Sequence, residues 1–447
     1  MIKITNFNDA DTVNVSLPQI HGEIIVSGDS EISVCNENLS IGSVTWPVIN
    51  GKFKAFVQLS EGENSIRLEH KSSFIILNLI YVPLNFRRFI RLVYIKCKDD
   101  DGSFQVPEAE NSSLSSACKR ITLGAQMLQT FTWDKIKEHC SNGRTFCLEE
   151  TDGKVICHVF SSKLTVEEAH KLSEQELWSH FAVELMNSNL RLGNRCKFLA
   201  FLSFTRYCNY SNLSPKNHKE VLRLTKGQVA LGGGGLALFG SGCLHTWAED
   251  VSQIPWRFGD KRKIDRKKLM DDSANRGWHW ACYSTGLGAT LHELGHTFDL
   301  GHTKGGIMGR GFDDIYKYFI VDLFYYDHAY QQKYNPYYQK SSIHNQTVPF
   351  TLSPLASWKS SAETSLQYLQ SQTTTNEQVP REVFDASLNE KPWSLPTLPE
   401  VWFTDATYAV NVGQAYWERS SALILYYHKW FNDHEDESTP SLTRYYT

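Results

Sequence analysis

The sequence predicts a mixed α+β or α/β protein in which an N-terminal β-sandwich precedes a larger domain of alternating helices and strands. Residues 1–97 contain short β-like runs separated by turn signals, at the spacing typical of a β-sandwich. Residues 98–332 alternate amphipathic helical patterns with short apolar runs. Of the 447 residues, 41% are hydrophobic and 21% are charged, as expected of a chain that folds around sizeable cores.

The N-terminal β-sandwich is predicted from strands at residues 22–28, 52–59, 65–70 and 74–82, the last ending before Pro83. No set of side chains in this range carries recognisable chemistry. We therefore interpret residues 1–97 as an accessory domain that packs on the rest of the chain or contacts a protein partner.

The second domain is predicted to contain helices at residues 113–133 and 165–186 and buried strands at residues 198–204 and 229–239. Four glycines interrupt the last of these strands: Gly232, Gly233, Gly234 and Gly235. Glycines in a strand allow close backbone approach, so they indicate a strand edge to which a substrate backbone could add. A bulge or tight bend explains the same glycines equally well.

The remainder of the chain divides into two predicted parts. Residues 333–400 are rich in polar residues and lack apolar periodicity, which indicates a flexible insertion. Residues 401–447 include a helical pattern over 418–431, in which Leu423, Ile424, Tyr427 and Trp430 fall on one face. We expect this helix to pack back on the second domain.

Charge and targeting signals limit the possible partners. The formal net charge is −4, which provides no basic field for nucleic acid. The first residues lack the apolar core of a signal peptide, and no run is long enough to span a bilayer, so we expect no membrane association and a cytoplasmic or nucleocytoplasmic location. The ten cysteines show no Cys-x-x-Cys pair and are expected to be reduced thiols.

The most informative motif is the run from His292 to His302. His292 and His296 are four residues apart, so on a helix their imidazoles lie one turn apart on the same face and can bind one cation. Glu293 follows the first histidine, where its carboxylate can accept a proton from a bound water. Apolar neighbours around these residues indicate that the helix is otherwise buried, and the pattern predicts one zinc ion per chain.

The third ligand is predicted to be His302, which lies six residues after His296, beyond a glycine that can end the helix. Asp299 is an alternative third ligand, since carboxylates also bind zinc. Three neutral imidazoles favour His302, because they leave the zinc more positive and its water more acidic. Three protein ligands with one open position are typical of a catalytic zinc site.

The motif His292-Glu293-x-x-His296-x-x-Asp299-x-x-His302, followed by the glycine-rich turn at Met308, resembles the metzincin zinc-peptidase pattern. The segments 286–314, 120–125, 201–207, 231–235 and 420–431 resemble those of a largely uncharacterised eukaryotic family of zinc metalloproteinases with an N-terminal β-domain. The resemblance implies a mixed sheet, an active-site helix and a Met-turn with Met308 beneath the imidazoles. Metzincins have glycine where this chain has Asp299, although aspartate is among the few residues that tolerate a left-handed backbone.

The predicted function is peptide-bond hydrolysis by a zinc-bound water, with Glu293 as general base and a peptide or protein as substrate. Hydrolysis of another amide by the same water is a rival hypothesis. A catalytically idle, zinc-stabilised scaffold is another, although retention of Glu293 argues against it, since a structural site needs no base.

Overall fold

The computed structural model describes residues 1–25, 30–209, 215–321, 333, 335–337 and 415–432. These residues form a mixed α+β structure with several sheets. The predicted insertion at 333–400 lies outside the described residues apart from positions 333 and 335–337. None of the described helices is both long and apolar enough to cross a bilayer.

The N-terminal region contains two sheets. Their strands are β1 (Ile2–Ile4), β2 (Asp11–Val13), β3 (Gln19–Ile24), β4 (Ser30–Asn36), β5 (Val44–Val48), β6 (Lys52–Phe56), β7 (Gly62–His70) and β8 (Ser73–Tyr81). In the described part of the chain, one sheet has the order β1-β3-β6 and the other the order β2-β8-β7-β4-β5. Ile20 and Phe53 of the first sheet and Ile66 and Leu68 of the second belong to the same hydrophobic core, so the two sheets fold as one packed region.

The second region is built on one sheet with the strand order β12-β9-β13-β17-β16. Its strands are β9 (Phe89–Lys96), β12 (Cys157–Ser161), β13 (Cys196–Leu202), β16 (Ala230–Gly233) and β17 (Leu236–Gly240). Two short two-stranded sheets lie outside it. One pairs β10 (Glu150–Thr151) with β11 (Lys154–Val155), and the other pairs β14 (Arg206–Tyr207) with β15 (Thr225–Lys226). Strand β9 falls within the predicted N-terminal range 1–97, yet it pairs with β12 and β13. The predicted strand 229–239 is a hairpin, in which β16 runs antiparallel to β17.

The described helices are α1 (Leu114–Ile136), α2 (Val166–Ala169), α3 (Glu174–Met186), α4 (His218–Arg223), α5 (Ile254–Phe258), α6 (His279–Thr297), α7 (Tyr316–Phe319) and α8 (Arg419–Tyr427). The single helix predicted at 165–186 is two helices, because Ser173 forms a second capping box after the one at Thr165. Helix α6 carries the His-Glu-x-x-His motif in its last two turns and begins at His279.

The apolar face predicted for the C-terminal helix is wrong at three positions. Leu423, Ile424 and Tyr427 are 37%, 45% and 70% exposed, whereas Trp430 is buried. The buried residues of α8 are Ser421, Ala422 and Leu425. Two of these three side chains are small and carry little hydrophobic signal, so the periodicity of large apolar residues identified the wrong side of the helix.

A buried charge cluster lies at the start of α6. Glu110 accepts two hydrogen bonds of 2.9 Å from Arg257, and Asp260 accepts one of 2.6 Å from Arg262. The backbone carbonyl of Asp260 accepts a hydrogen bond from the Trp280 N–H in the first turn of α6. The paired charges thus fix the position of the helix start, as buried ions require partners to offset their desolvation.

His245 and His279 are buried beside this cluster, with ring centroids 5.3 Å apart. Burial, followed by repulsion from neighbouring positive groups, lowers the pKa of both imidazoles well below the ordinary value. Both histidines are therefore neutral in the folded protein at neutral pH.

Acidification is expected to destabilise the protein through these histidines. Below pH ~6.5 the unfolded chain binds protons that the folded chain does not, so each such histidine lowers the unfolding free energy by up to about 1.4 kcal/mol per pH unit. We predict that His245→Leu reduces the slope of stability against pH between about pH 6.5 and 4.5, measured by urea unfolding of metal-free protein. An unchanged slope in His245→Leu would contradict the assignment.

Candidate metal centre

Helix α6 and the loop after it bring three histidine side chains together. His292 and His296 lie one turn apart near the end of α6, which is followed by Phe298. Asp299 then adopts a left-handed backbone with φ of 63°, and the chain returns so that His302 faces the helix. One ligand atom from each of His292, His296 and His302 lies within 4.8 Å of the others.

The three imidazoles form a compact group. The ring centroids of His292 and His296 are 4.7 Å apart, and the ring of His302 lies 5.2 Å from His292 and 4.7 Å from His296. Nε2 of His292 and Nε2 of His296 are 3.1 Å apart. Two Zn–N bonds of 2.0–2.1 Å at a tetrahedral angle place their nitrogens about 3.3 Å apart, so this separation suits a shared ion.

Two backbone carbonyls fix the tautomers of the first two histidines. Nδ1 of His292 lies 2.7 Å from the Ile307 carbonyl oxygen, and Nδ1 of His296 lies 2.9 Å from that of Leu300. A carbonyl only accepts hydrogen bonds, so both Nδ1 atoms are the donors and carry the protons. In the neutral rings both Nε2 atoms then present lone pairs to each other without a proton between them. A cation at this point resolves the repulsion.

Burial keeps the three rings in the neutral form that can bind a metal. Burial, reinforced by His296, lowers the pKa of His292 to about 3. Burial also lowers the pKa of His296 and of His302. Neutral imidazole is the ligand form of histidine, so protons compete weakly for these sites near neutral pH.

Glu293 lies on α6 beside the histidines and is held by the edge strand of the sheet. The Gly232 N–H hydrogen-bonds its carboxyl group, which favours the ionised form. Burial has the larger effect and, with a contribution from Glu174, raises the pKa of Glu293 to about 8. The carboxyl group can therefore gain and lose a proton near neutral pH.

Met308 lies beneath the middle of the motif. Its side chain is 1% exposed, and its sulfur lies 2.5 Å from the position that a Cβ at Gly295 would take. Gly295 lies between the two helical histidines in sequence, so Met308 packs directly against their turn of α6.

Asp299 is not among the residues whose ligand atoms converge. Its Oδ2 instead lies 3.2 Å from Nε2 of His428. The hydrogen bond from His428 lowers the pKa of the Asp299 carboxyl. The residue occupies the left-handed position that the sequence analysis identified and leaves the third corner of the group to His302.

The four glycines form the end of the β16–β17 hairpin. Gly232 and Gly233 end β16, Gly234 has φ of 52°, and the Gly235 carbonyl accepts a 2.8 Å hydrogen bond from the Phe198 N–H. Strand β16 lies at the edge of its sheet. The Ala230 N–H donates to Glu174 Oε1 at 2.9 Å, so a side chain already occupies part of this edge.

Several contributors to the centre were not identified from the sequence. Ile307 and Leu300 act through their carbonyls, which every residue type possesses, so no sequence signal could reveal them. Lys197 donates to the carbonyls of Gly234 and Thr297 and joins the hairpin to the end of α6. Burial lowers the pKa of Lys197 to about 8. The position of this lysine at the start of an apolar strand could have indicated a buried role, because lysine is rarely buried without a partner.

Gly232→Ala should disrupt the contact between β16 and α6. A Cβ at position 232 would lie 1.9 Å from the Glu293 carbonyl oxygen, so the strand or the helix must move. We predict a loss of about 2 kcal/mol in unfolding free energy, measured by urea denaturation. Gly301→Ala is the control, because a Cβ there meets nothing within 4 Å, and it should change stability by less than about 0.5 kcal/mol. Equal effects of the two substitutions would contradict the close approach.

Two curated yeast proteins are similar to this chain. A "Putative zinc metalloproteinase" of Saccharomyces cerevisiae is 26% identical over 301 residues, which are 62% of this chain and 43% of that protein. One of the same description from Schizosaccharomyces pombe is 27% identical over 334 residues, which are 70% of this chain and 52% of that protein. The match thus spans about half the length of each relative.

Among solved structures, wild-type OgpA from Akkermansia muciniphila is 16% identical, with a TM-score of 0.33 over 52% of this chain and 56% of that chain. The family model described as "Putative peptidase family" (Metallopep) matches residues 1–390, which is most of the sequence. The chain therefore belongs to this peptidase family.

Proposed function

We propose that the protein is a zinc-dependent metallopeptidase. One observation carries the proposal: the imidazoles of His292 and His296 direct unprotonated Nε2 atoms at each other across 3.1 Å, with a third imidazole, that of His302, converging on them. Glu293 follows His292 on the same helix. Membership of the peptidase family and the names of the yeast relatives support the same activity.

His292, His296 and His302 are the proposed ligands of one zinc ion, and their neutral state and spacing fit it. Bound there, zinc would supply an acidified water and a Lewis acid for the scissile carbonyl. The ligand set uses the three histidines, leaving Asp299 to its contact with His428. Met308 provides an apolar base under the site, as in the metzincin arrangement that we propose for this domain.

Glu293 is the proposed general base. Its carboxyl group follows the first proposed ligand on α6, where it can accept a proton from water and later release it to the leaving amine. The Gly232 N–H orients the carboxyl group, so proton transfer needs little reorganisation. Accepting and donating the proton at one carboxyl accounts for both halves of the reaction.

The substrate is proposed to be a peptide that pairs with the edge of β16 as an added strand. The Ala230 N–H faces this edge and is bound by Glu174. A substrate carbonyl would replace that carboxylate on binding. The N-terminal β region, which we propose to be a sandwich, is a candidate surface for a protein partner.

Cleavage of a proteome-derived peptide library, read by mass spectrometry, tests the proposed function. We expect wild-type protein with one equivalent of zinc to cleave peptides and a chelator to stop it. Glu293→Gln should retain zinc and lose about 10²–10⁴-fold in rate, the range typical of general-base removal. His296→Ala should lose both zinc and cleavage. Glu167→Gln, which changes a carboxylate 81% exposed, should cleave as the wild type does.

The rival hypotheses give different results in the same experiment. A zinc-stabilised scaffold would hold zinc and cleave nothing in either wild type or Glu293→Gln. A hydrolase of another amide would leave the peptides intact and release product from acylated lysine or other amide substrates. Cleavage that continues in the presence of a chelator would overturn the zinc mechanism.

A further inference from the structure

The residues 415–432, here called the C-terminal segment, contact the loop that follows α6. The Ile307 N–H donates a 2.9 Å hydrogen bond to the Tyr416 carbonyl. The carbonyl of the same Ile307 accepts from Nδ1 of His292 at 2.7 Å. Ile307 therefore connects the C-terminal segment to the first histidine of the motif through two consecutive hydrogen bonds.

A second contact lies on the other side of the loop. Asp299 Oδ2 is 3.2 Å from Nε2 of His428, and Asp299 immediately precedes Leu300, whose carbonyl accepts from His296. The Phe298 ring lies 5.0 Å from that of Phe431. The C-terminal segment thus contacts Ile307, whose carbonyl orients His292, and Asp299, which precedes the residue whose carbonyl orients His296.

The C-terminal segment is itself firmly packed. Trp417 and Phe431 are each 1% exposed and belong to the main hydrophobic core. The Trp417 carbonyl lies 2.9 Å from Nε2 of His139, and Arg144 donates a 3.0 Å hydrogen bond to the Tyr426 carbonyl. A segment anchored in this way can hold a loop in place, whereas a loosely attached tail could not.

We propose that the C-terminal segment positions the metal centre, with Tyr416 and His428 as positioning residues for His292 and His296. The segment lies outside residues 1–390, which the family model matches. The proposal rests on the proposed zinc function. Outer partners of metal-ligating histidines change metal affinity by 10–100-fold when removed. Here the effect passes through one further contact, so we expect about tenfold.

The first test replaces His428 in the full-length chain. Zinc dissociation constants are measured by competition with a chelator, and the visible absorption of Co²⁺-loaded protein reports ligand geometry. His428→Ala should bind zinc about tenfold more weakly and shift the Co²⁺ bands. His428→Gln places an amide N–H near the position of Nε2 and should restore affinity to within about threefold of wild type. Tyr427→Ala, at the neighbouring side chain that is 70% exposed, is the matched control.

The second test acts on the Tyr416 contact through neighbouring glycines. A Cβ at Gly306, where φ is 67°, would lie 2.4 Å from the Tyr416 carbonyl oxygen and must displace it. A Cβ at Gly305 meets the hydroxyl end of the Tyr416 side chain at 2.7 Å, which can move aside. Gly306→Ala should therefore weaken zinc binding about tenfold and Gly305→Ala much less.

The outcomes separate the two proposals. Failure of the wild type to bind zinc overturns the proposed function and this inference with it. Normal zinc binding by the wild type, together with unchanged dissociation constants in both His428→Ala and Gly306→Ala, overturns the positioning role alone. A lower melting temperature of the metal-free variants without a change in zinc affinity or in the Co²⁺ spectrum identifies a merely structural role and also overturns it.

Discussion

The candidate site depends on two hydrogen bonds that point away from it. The Ile307 and Leu300 carbonyls fix the Nδ1 protons of His292 and His296, so the opposite Nε2 atoms face each other as acceptors. Neither ring can satisfy the other, and burial opposes protonation of both. The folded chain therefore holds the two Nε2 lone pairs close together, where they repel each other. A cation bound between them would remove this repulsion.

The rest of the second region holds α6 in the position that this pair requires. At its start, the Asp260 carbonyl and the buried charge cluster fix the first turn. At its end, Lys197 donates to the Thr297 carbonyl and to Gly234, which ties the helix to the edge hairpin. Between these points Gly232 allows β16 to approach the backbone of Glu293 so closely that no side chain fits. Contacts at the start, the middle and the end of α6 thus position the proposed base and the proposed ligands.

The sequence predicted the parts that depend on local periodicity and spacing. Four-residue spacing placed His292 and His296 on one face, and Asp299 was identified as a residue able to adopt the left-handed turn that lets His302 return. The sequence analysis did not predict which sheet contains β9. This strand follows β8 in sequence and was therefore counted with the N-terminal strands. It pairs instead with β13, because its apolar side chains suit the sheet of the second region, which is covered on both faces. The exposed face of α8 was misassigned, because Leu423, Ile424 and Tyr427 face outward, whereas Ser421 and Ala422 face the core together with Leu425. The carbonyls of Leu300, Ile307 and Tyr416 carry no sequence signal, and the contacts made through them required the fold.

X-ray absorption spectroscopy of the zinc-loaded full chain tests the central claim most directly. We expect one equivalent of zinc with nitrogen or oxygen neighbours at about 2.0–2.1 Å and imidazole scattering from three rings. Zinc–sulfur scattering at about 2.3 Å, or fewer than three imidazoles around the bound ion, would contradict the account.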